Sequence, residues 1–481
     1  MRSPDDVIAS EGQNSQVAAS HSHAFWDRVL GEAVRDNNLH AMVIDTLQVW
    51  ATGFTSRINN TDAHELWLDG YLGPSGGVGP GGASKYGLPI RIDQSLPSDH
   101  MLSTARNFTA VVSARCGGDM DGGDSWTQMA STGAFLAAVG VRPVMDVLWT
   151  TGAQPGNTEH IAERHNIEHE LVVAVLTTGP VGFGDMVNGT NATRLALATR
   201  ADGVILKPAH TALRIDDFYA AGNDCAGAEI WGAASAVAGS ASSSEDRRAN
   251  SFARLDADAG LGAGGADGLW WFSILSTRIA TTSACKGIGT ESLWPVSQGS
   301  SFVSFTFGQR CAAGAAASSC LTPFSADSGK SLAVATGTAA DERLWMLQSL
   351  APVLPGGWVL VGEMSKYVPV SPQRLVVAAA AADASGGGAS GGGGSVGASD
   401  AFDAADIVSK DGATLTFDVV GAAGEKVDIT VVVPPAHAAA AVEAGAQGQG
   451  QGGRVGGTIR TVRVVLPASG RKTVTCTQMS C

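Results

Sequence analysis

The stretch from Leu171 to Asp217 reads LVVAVLTTGPVGFGDMVNGTNATRLALATRADGVILKPAHTALRIDD, and it predicts the fold class of the first half of the chain. Leu171–Leu176 is a short, valine-rich apolar run bounded by Thr-Thr-Gly-Pro, which is typical of a strand buried on both faces of a parallel sheet. A glycine-rich loop follows and presents Asp185 where that strand ends. Asn191 is placed to cap a helix over 192–200. Strand, acid-bearing loop and helix together predict one βα unit, and α/β barrels carry their chemistry in such loops.

Further βα units are predicted upstream. An amphipathic helix is expected over His23–Asn37, because its apolar residues recur at helical spacing. Four more strands are expected, at Ala41–Asp45, Pro89–Asp93, Ala110–Arg115 and Val144–Leu148. With Leu171–Leu176 they make five strands, whereas a closed barrel has eight. The sequence therefore predicts a partial TIM-type (β/α) barrel over residues 21–225, preceded by a polar, disordered segment over 1–20.

The second half of the chain has a different pattern. Short runs alternate polar with apolar residues, which is typical of antiparallel strands with one solvated face. Nine such runs are predicted as strands, at Leu269–Leu275, Ser301–Phe307, Leu332–Ala335, Trp358–Gly362, Arg374–Ala378, Thr414–Val420, Val427–Val433, Ile459–Leu466 and Thr473–Thr477. They predict an all-β sandwich over 268–481 with Gly/Ala-rich insertions, joined to the first half by a low-complexity linker over 226–267.

Composition excludes several classes of partner. The chain has 481 residues with 31 Lys and Arg against 45 Asp and Glu, a net charge of −14, and no basic patch in the sequence, so nucleic acid is not expected as a partner. No apolar run reaches the ~20 residues that a membrane helix needs, so no membrane partner is expected. Seven cysteines without a CxxC argue against a zinc ribbon or a thioredoxin-like site. Pairing of Cys311 with Cys320 or of Cys476 with Cys481 requires an oxidising compartment, and four N-glycosylation triplets favour an extracellular or secretory location.

Acidic residues follow each of the predicted parallel strands. They are Asp45, Asp93, Asp119, Asp146 and Asp185. The carboxyl ends of parallel strands meet at one edge of a sheet, so we expect these carboxylates to line one cleft. Paired carboxylates are the groups that glycoside hydrolysis uses as nucleophile and as general acid/base.

Ordered motifs within residues 178–217 also point to a family. They are Thr-Gly-Pro-Val, then Gly-Asp185, an Asn-led helix, Ala-Asp202-Gly203-Val-Ile-Leu, and Arg214-Ile-Asp216-Asp217. This order resembles the last barrel strand and loop of the raffinose synthase and alkaline α-galactosidase group of glycoside hydrolase family thirty-six. The resemblance implies that the five strands correspond to strands four to eight of that barrel. Three earlier strands and an N-terminal β domain would then precede the chain, which we expect to be a poor enzyme without them.

The same resemblance implies roles for individual residues. Asp45 matches the nucleophile of a Lys-x-Asp motif, although Val43 stands where the family has the lysine, and Asp119 matches the general acid/base. A carbohydrate substrate would be bound by the remaining site residues, which are Asp93, Arg115, Asp146, Trp149 and Asp185. No cofactor and no metal are expected. Hydrolysis and transfer to a sugar hydroxyl stay open, because they differ only in which group intercepts the glycosyl-enzyme.

Two alternatives remain at this level. The loss of the lysine at Val43 is consistent with a catalytically inactive, carbohydrate-binding relative. Residues 165–169 read His-Asn-Ile-Glu-His, an HxxEH motif that resembles the inverted zinc-peptidase type. In that case His165 and His169 would share a helix face and bind zinc, whereas the other interpretation is a polar helix face.

Overall fold

The chain contains both helices and sheets, with one parallel sheet and several antiparallel ones. The computed structural model describes residues 7–12, 15–20, 23–44, 71, 82–93, 110–116, 125–145, 148–151, 167–215, 229–235, 237, 269–277, 288–293, 301–325, 345–376, 407–409, 411–435 and 456–481. Its helices are α1 (His23–Asn37), α2 (Gly82–Lys85), α3 (Ser125–Ala138), α4 (Ile167–Leu176) and α5 (Ala192–Leu195). None of these described helices is long and apolar enough to cross a membrane.

Residues 7–12 and 15–20 form two paired strands where the sequence predicts disorder. Strand β1 (Val7–Gly12) pairs antiparallel with β2 (Ser15–Ser20). The polar composition that motivated the prediction of disorder does not prevent pairing, because backbone groups make the ladder between antiparallel strands.

A four-stranded parallel sheet lies at the centre of the first half. Its strands are β3 (Met42–Ile44), β4 (Ile90–Ile92), β5 (Val111–Arg115) and β6 (Arg142–Val144), and they are adjacent in the order of the chain. Alternate residues point to opposite faces of the sheet. Ile90, Ile92 and Ala114 on one face are fully buried against helices, as the patterning predicts. The described strands contain no closed barrel.

The segment Leu171–Leu176 is helical, so its prediction as a strand is wrong. Helix α4 begins at Ile167, and its residues Leu171–Leu176 are all buried. A helix that is apolar on every side has the same short apolar signature as a buried strand, so periodicity cannot separate the two. The helix ends before Thr178, whose φ is +63°, and Gly179 follows in close contact with the Pro143 carbonyl.

An isolated parallel bridge lies outside the four strands of the parallel sheet and involves residues close to Asp185. Leu148 forms a parallel bridge with Phe183, supported by hydrogen bonds from Leu148 N–H to Gly182 O (2.8 Å) and from Gly184 N–H to Leu148 O (3.0 Å). The predicted strand Val144–Leu148 is correspondingly shifted, because β6 ends at Val144. Asp185 thus follows the Phe183 bridge, and not a strand over Leu171–Leu176 as predicted.

Antiparallel sheets make up the second half. The largest has the order β11-β10-β12-β9-β8-β7, and two three-stranded sheets have the orders β13-β16-β17 and β14-β15-β18. These strands are β7 (Leu213–Arg214), β8 (Glu229–Ser235), β9 (Trp271–Thr277), β10 (Ser301–Thr306), β11 (Thr322–Ser325), β12 (Trp345–Pro352), β13 (Val359–Gly362), β14 (Leu375–Val376), β15 (Thr414–Val420), β16 (Lys426–Val433), β17 (Thr458–Val465) and β18 (Arg471–Thr477).

Strand β8 lies inside the predicted linker 226–267, so that boundary is wrong. Its sequence, EIWGAAS, is rich in small residues, and the strand is almost entirely buried. At Gly232 the side chains of Ile274 and Ile215 lie 3.4 and 3.6 Å from the position of a Cβ, which is ordinary van der Waals contact. The antiparallel region thus begins before residue 268. Strands β11 and β12 were also missed, and the predicted strand Leu332–Ala335 lies outside the described residues.

The two halves share a hydrophobic core. The core of the parallel sheet includes Trp345 and Tyr367 from the antiparallel half together with Leu171–Leu176. A second core lies between the antiparallel sheets and is formed mainly by valine, leucine and isoleucine of β13, β15, β16 and β17. Disulfides join Cys311 to Cys320 and Cys476 to Cys481 at its periphery.

Candidate functional site

The carboxyl ends of the parallel strands lie along one edge of the sheet, which we call the carboxyl edge. Backbone hydrogen bonds connect these ends, from Asp93 N–H to Ile44 O (2.7 Å) and from Cys116 N–H to Val144 O (2.9 Å). The parallel register places Asp93, Arg115 and the segment before Asp185 at this edge. It is the position at which α/β proteins carry their ligand sites.

Asp93 forms a bidentate pair with Arg91 on the same strand. Arg91 Nε donates to Asp93 Oδ1 (2.5 Å), and Nη2 donates to Oδ2 (3.0 Å) and to the Met145 carbonyl (3.4 Å). Both side chains are largely buried, with 16% and 13% exposure. Residues two apart on a strand share a face, which is why this pair forms. The pairing fixes the orientation of the Asp93 carboxylate at the carboxyl edge.

Asp185 is held by the neighbouring strand end. Thr150 donates its backbone N–H to Asp185 Oδ1 (2.8 Å) and its hydroxyl to Oδ2 (2.6 Å). Thr150 is completely buried. Its Oγ1 also accepts the backbone N–H of Asn191 (2.7 Å), and its carbonyl accepts a hydrogen bond from the Arg194 guanidinium. Two donors on one carboxylate fix its orientation before any ligand binds.

Helix α5 starts at this network. Asn191 is the N-cap, with extended backbone angles, and its side-chain oxygen accepts the N–H of Arg194 (3.0 Å). The predicted cap is therefore confirmed, although the helix ends at Leu195 instead of residue 200. The cap, the helix and Thr150 together form a rigid support for the Asp185 loop.

Arg115 and Trp149 lie at the carboxyl edge and are buried, with 5% and 6% exposure. The burial of Trp149 favours packing over the exposed platform that stacking on a sugar requires. Next to Arg115 lies Cys116, whose Sγ is 3.3 Å from the Val144 carbonyl. Burial raises the pKa of the Cys116 thiol to about 12, an effect that the charges of Arg115 and Arg91 only partly offset. Cys116 is thus protonated and is not a nucleophile.

The proposed catalytic residues Asp45 and Asp119, and also Asp146, lie outside the described residues. The segments that precede the first two are described: β3 ends at Ile44, and Cys116 follows β5. One strand, β4, separates them. Adjacent strands are ~4.8 Å apart, so these ends are separated by roughly 10 Å. That the two carboxylates lie ~5 Å apart, as in a retaining glycosidase, stays a prediction.

The HxxEH motif does not form a metal site among the described residues. His165 lies outside them, and His169 is on α4. His169 is 6% exposed, and its ring centroid lies 5.8 Å from that of Trp345. Burial lowers the pKa of His169 to about 4, so the imidazole is neutral in the core. The described part of the chain has no group of three His, Cys, Asp or Glu side chains suited to a metal ion.

Three polar residues of the carboxyl edge were missed by sequence reasoning. Arg91 had a usable signal, because it stands two residues before Asp93 in a predicted strand and so shares its face. Thr150 and Arg194 had none, since their contacts with the Asp185 loop join segments that are 35 to 44 residues apart. Compared with known proteins, the chain matches no protein-family model and has no significant match among curated proteins.

Proposed function

We propose that the chain is a glycoside hydrolase, or a transglycosylating relative, that acts on α-galactosides or related oligosaccharides by a retaining mechanism. The observation that carries the proposal is the carboxyl edge, where consecutive parallel strands are each followed by an acidic residue. Asp93 and Asp185 are held there by Arg91 and Thr150. The parallel strands in chain order support a partial (β/α) barrel corresponding to strands four to eight, followed by a β sandwich.

The proposed mechanism uses two carboxylates. Asp45 attacks the anomeric carbon while Asp119 donates a proton to the glycosidic oxygen, so the leaving sugar departs as an alcohol. Asp119 then accepts a proton from water, which displaces Asp45 and releases the sugar with its original anomeric configuration. If a sugar hydroxyl replaces the water, the same steps give a transfer product. The remaining site residues, Asp93, Arg115, Asp146, Trp149 and Asp185, would bind hydroxyl groups or shape the pocket.

The register of the parallel sheet shows which residue lies beside Val43, which stands where the family has a lysine. Val43 pairs directly with Arg91 on the neighbouring strand, and in a parallel sheet such neighbours share a face. A cation is therefore present beside the position of the absent lysine. Arg91 is engaged with Asp93, so it would act on a substrate through donors that this pair leaves unused.

The test separates the two carboxylates by their rescue chemistry. Turnover of an aryl α-galactoside should fall by on the order of 10³-fold or more in Asp45→Ala and in Asp119→Ala, but not in Asp428→Asn, an exposed carboxylate of β16. With azide, Asp45→Ala should give the β-galactosyl azide by one displacement. Asp119→Ala should give the α-anomer, because azide intercepts the glycosyl-enzyme. Retention of full activity in either alanine variant would contradict the assignment.

An inactive carbohydrate-binding protein is the second candidate. It is favoured by Val43 in the place of the family's lysine, and by the engagement of its sheet neighbour Arg91 with Asp93. Calorimetric binding of galactose or raffinose, with no product formed over many hours, would support this candidate against the first.

A further inference from the structure

The loop after α5 is held by residues of the antiparallel half. Lys366 Nζ donates to the carbonyl of Ala196 (2.5 Å) and to that of Thr199 (2.8 Å). The backbone N–H of Tyr367 donates to the carbonyl of Leu197 (3.1 Å). Lys366 is largely buried, and its ammonium group interacts with these carbonyls and with Glu363 Oε1 at 3.6 Å. Hydrogen bonds from a charged donor are roughly twice as strong as neutral ones.

Two further residues hold the same loop from the same side. Glu425 Oε1 accepts the N–H of Ala201 (3.0 Å). The carbonyl of Gln373 accepts a hydrogen bond from the Arg200 side chain (2.7 Å), and its amide oxygen accepts the N–H of Lys207 (3.2 Å). The loop 196–207 thus has its backbone fixed at several points by groups that lie more than 160 residues away in sequence.

Buried charges hold these groups in place. Arg374 is 1% exposed and bridges Glu363 (3.0 Å) and Glu425 (2.6 Å). Burial raises the pKa of Glu363 despite the nearby Arg374. Burial also acts to raise the pKa of Glu425, but hydrogen bonds from Arg374 and from backbone N–H groups outweigh it and lower the pKa. Loss of one member leaves another charge buried without its partner, which is costly. We call Glu363, Lys366, Gln373, Arg374 and Glu425 the clamp.

The other end of the same loop leads to the carboxyl edge. Helix α5 directly precedes Ala196, and its N-cap Asn191 donates its N–H to Thr150 Oγ1. Thr150 in turn holds both oxygens of Asp185. The contacts are therefore continuous from the clamp through α5 to Asp185. A rigid element between two sites is a physical path for coupling.

We propose that the clamp positions Asp185, so that the antiparallel half is a working part of the site at the carboxyl edge. The effect on substrate rests on the proposed function, whereas the effect on the Asp185 loop does not. Lys366 is the central positioning residue, because one charged group fixes two carbonyls of the loop.

The experiment compares Lys366→Met, which keeps the length of the side chain, with Lys366→Arg, which keeps the charge. Arg463→Met is the matched control, since it also removes a cation, one that forms an exposed ion pair with Asp428 on β16. Native-state hydrogen exchange of the Thr150, Asn191 and Arg194 amides reports on the network directly. Michaelis constants for an aryl α-galactoside report on substrate.

We expect these amides to exchange about tenfold faster in Lys366→Met, near the wild-type rate in Lys366→Arg and at the wild-type rate in Arg463→Met. KM should rise about threefold to tenfold in Lys366→Met with kcat within about twofold, because Asp185 would bind ground state and transition state alike. If Lys366→Met does not fold, Glu425→Gln provides the same comparison, since it keeps an acceptor for Ala201 and loses the charge.

Wild-type exchange at Thr150 and Asn191 in the folded Lys366→Met variant would overturn the positioning role, whatever the activity. A uniform loss of stability with unchanged KM would also overturn it, because a merely structural residue would behave in that way. Faster exchange together with no turnover by the unaltered chain would instead refute the glycosidase proposal and support the coupling between the clamp and Asp185.

Discussion

Replacement of Thr150 by valine is the sharpest test of the carboxyl edge. Valine keeps the branched shape of threonine but has a methyl group in place of the hydroxyl, so the change removes a donor and an acceptor and puts that methyl against Asp185. That hydroxyl donates to Asp185 Oδ2 at 2.6 Å and accepts the Asn191 N–H at 2.7 Å. Thr150 is fully buried, so water has no direct access to replace either bond.

The expected cost follows from these two bonds. A hydrogen bond to a charged group contributes about 1.5–3 kcal/mol, and a neutral one contributes about 0.5–1.5 kcal/mol. Because the Thr150 N–H still holds Asp185 Oδ1, we expect a local loss of about 2–4 kcal/mol. Native-state hydrogen exchange at the Asn191 and Arg194 amides measures this opening free energy without assuming that the whole chain unfolds in one step.

Thr150→Ser is the control, because it keeps the hydroxyl and should change the opening free energy by less than about 1 kcal/mol. A change of under about 0.5 kcal/mol in Thr150→Val, below the contribution of even one neutral bond, would refute the network as described.

Two further substitutions, at Lys207 and Gly179, test other contacts of the first half of the chain, and a third, at Gly133, is a control. Burial lowers the pKa of Lys207 from 10.5 to about 8, and the charge of Arg142 adds to the effect. Between pH 8 and pH 10.5 the unfolded chain therefore binds more protons than the folded chain. The free energy of unfolding should rise with pH across this range. Lys207→Met should abolish that rise in urea unfolding series between pH 8 and 10.5, and an unchanged slope would count against the buried ammonium. Gly179→Ala should destabilise the protein by about 3 kcal/mol or more, because a Cβ there would lie 1.8 Å from the Pro143 carbonyl oxygen. Gly133→Ala, whose Cβ would meet Pro143 at 3.5 Å within α3, should be neutral or stabilising by up to ~1 kcal/mol, and equal thermal shifts in the two variants would show the close approach to be wrong.

Local chemistry in the sequence determined several elements of this protein. The helical spacing over His23–Asn37 predicted α1, and the alternation in Thr414–Val420 predicted β15, both with the observed bounds. The N-cap at Asn191 is confirmed for the same reason, since capping depends on a side chain and an N–H three residues away. The parallel arrangement of β3 to β6 also followed from buried runs separated by helices.

Only the tertiary structure decided the rest. Leu171–Leu176 is apolar throughout, so its helical state depends on the core that surrounds it and not on its own periodicity. Strand β8 lies within the predicted linker, and its burial depends on pairing with β7 and β9, which its own sequence does not show. The hydrogen bond from Thr150 to Asp185 joins residues 35 positions apart. The hydrogen bonds from Lys366 to the loop after α5 join residues 167 and 170 positions apart. Sequence patterns report spacing along the chain, whereas these contacts depend on how the two halves pack together.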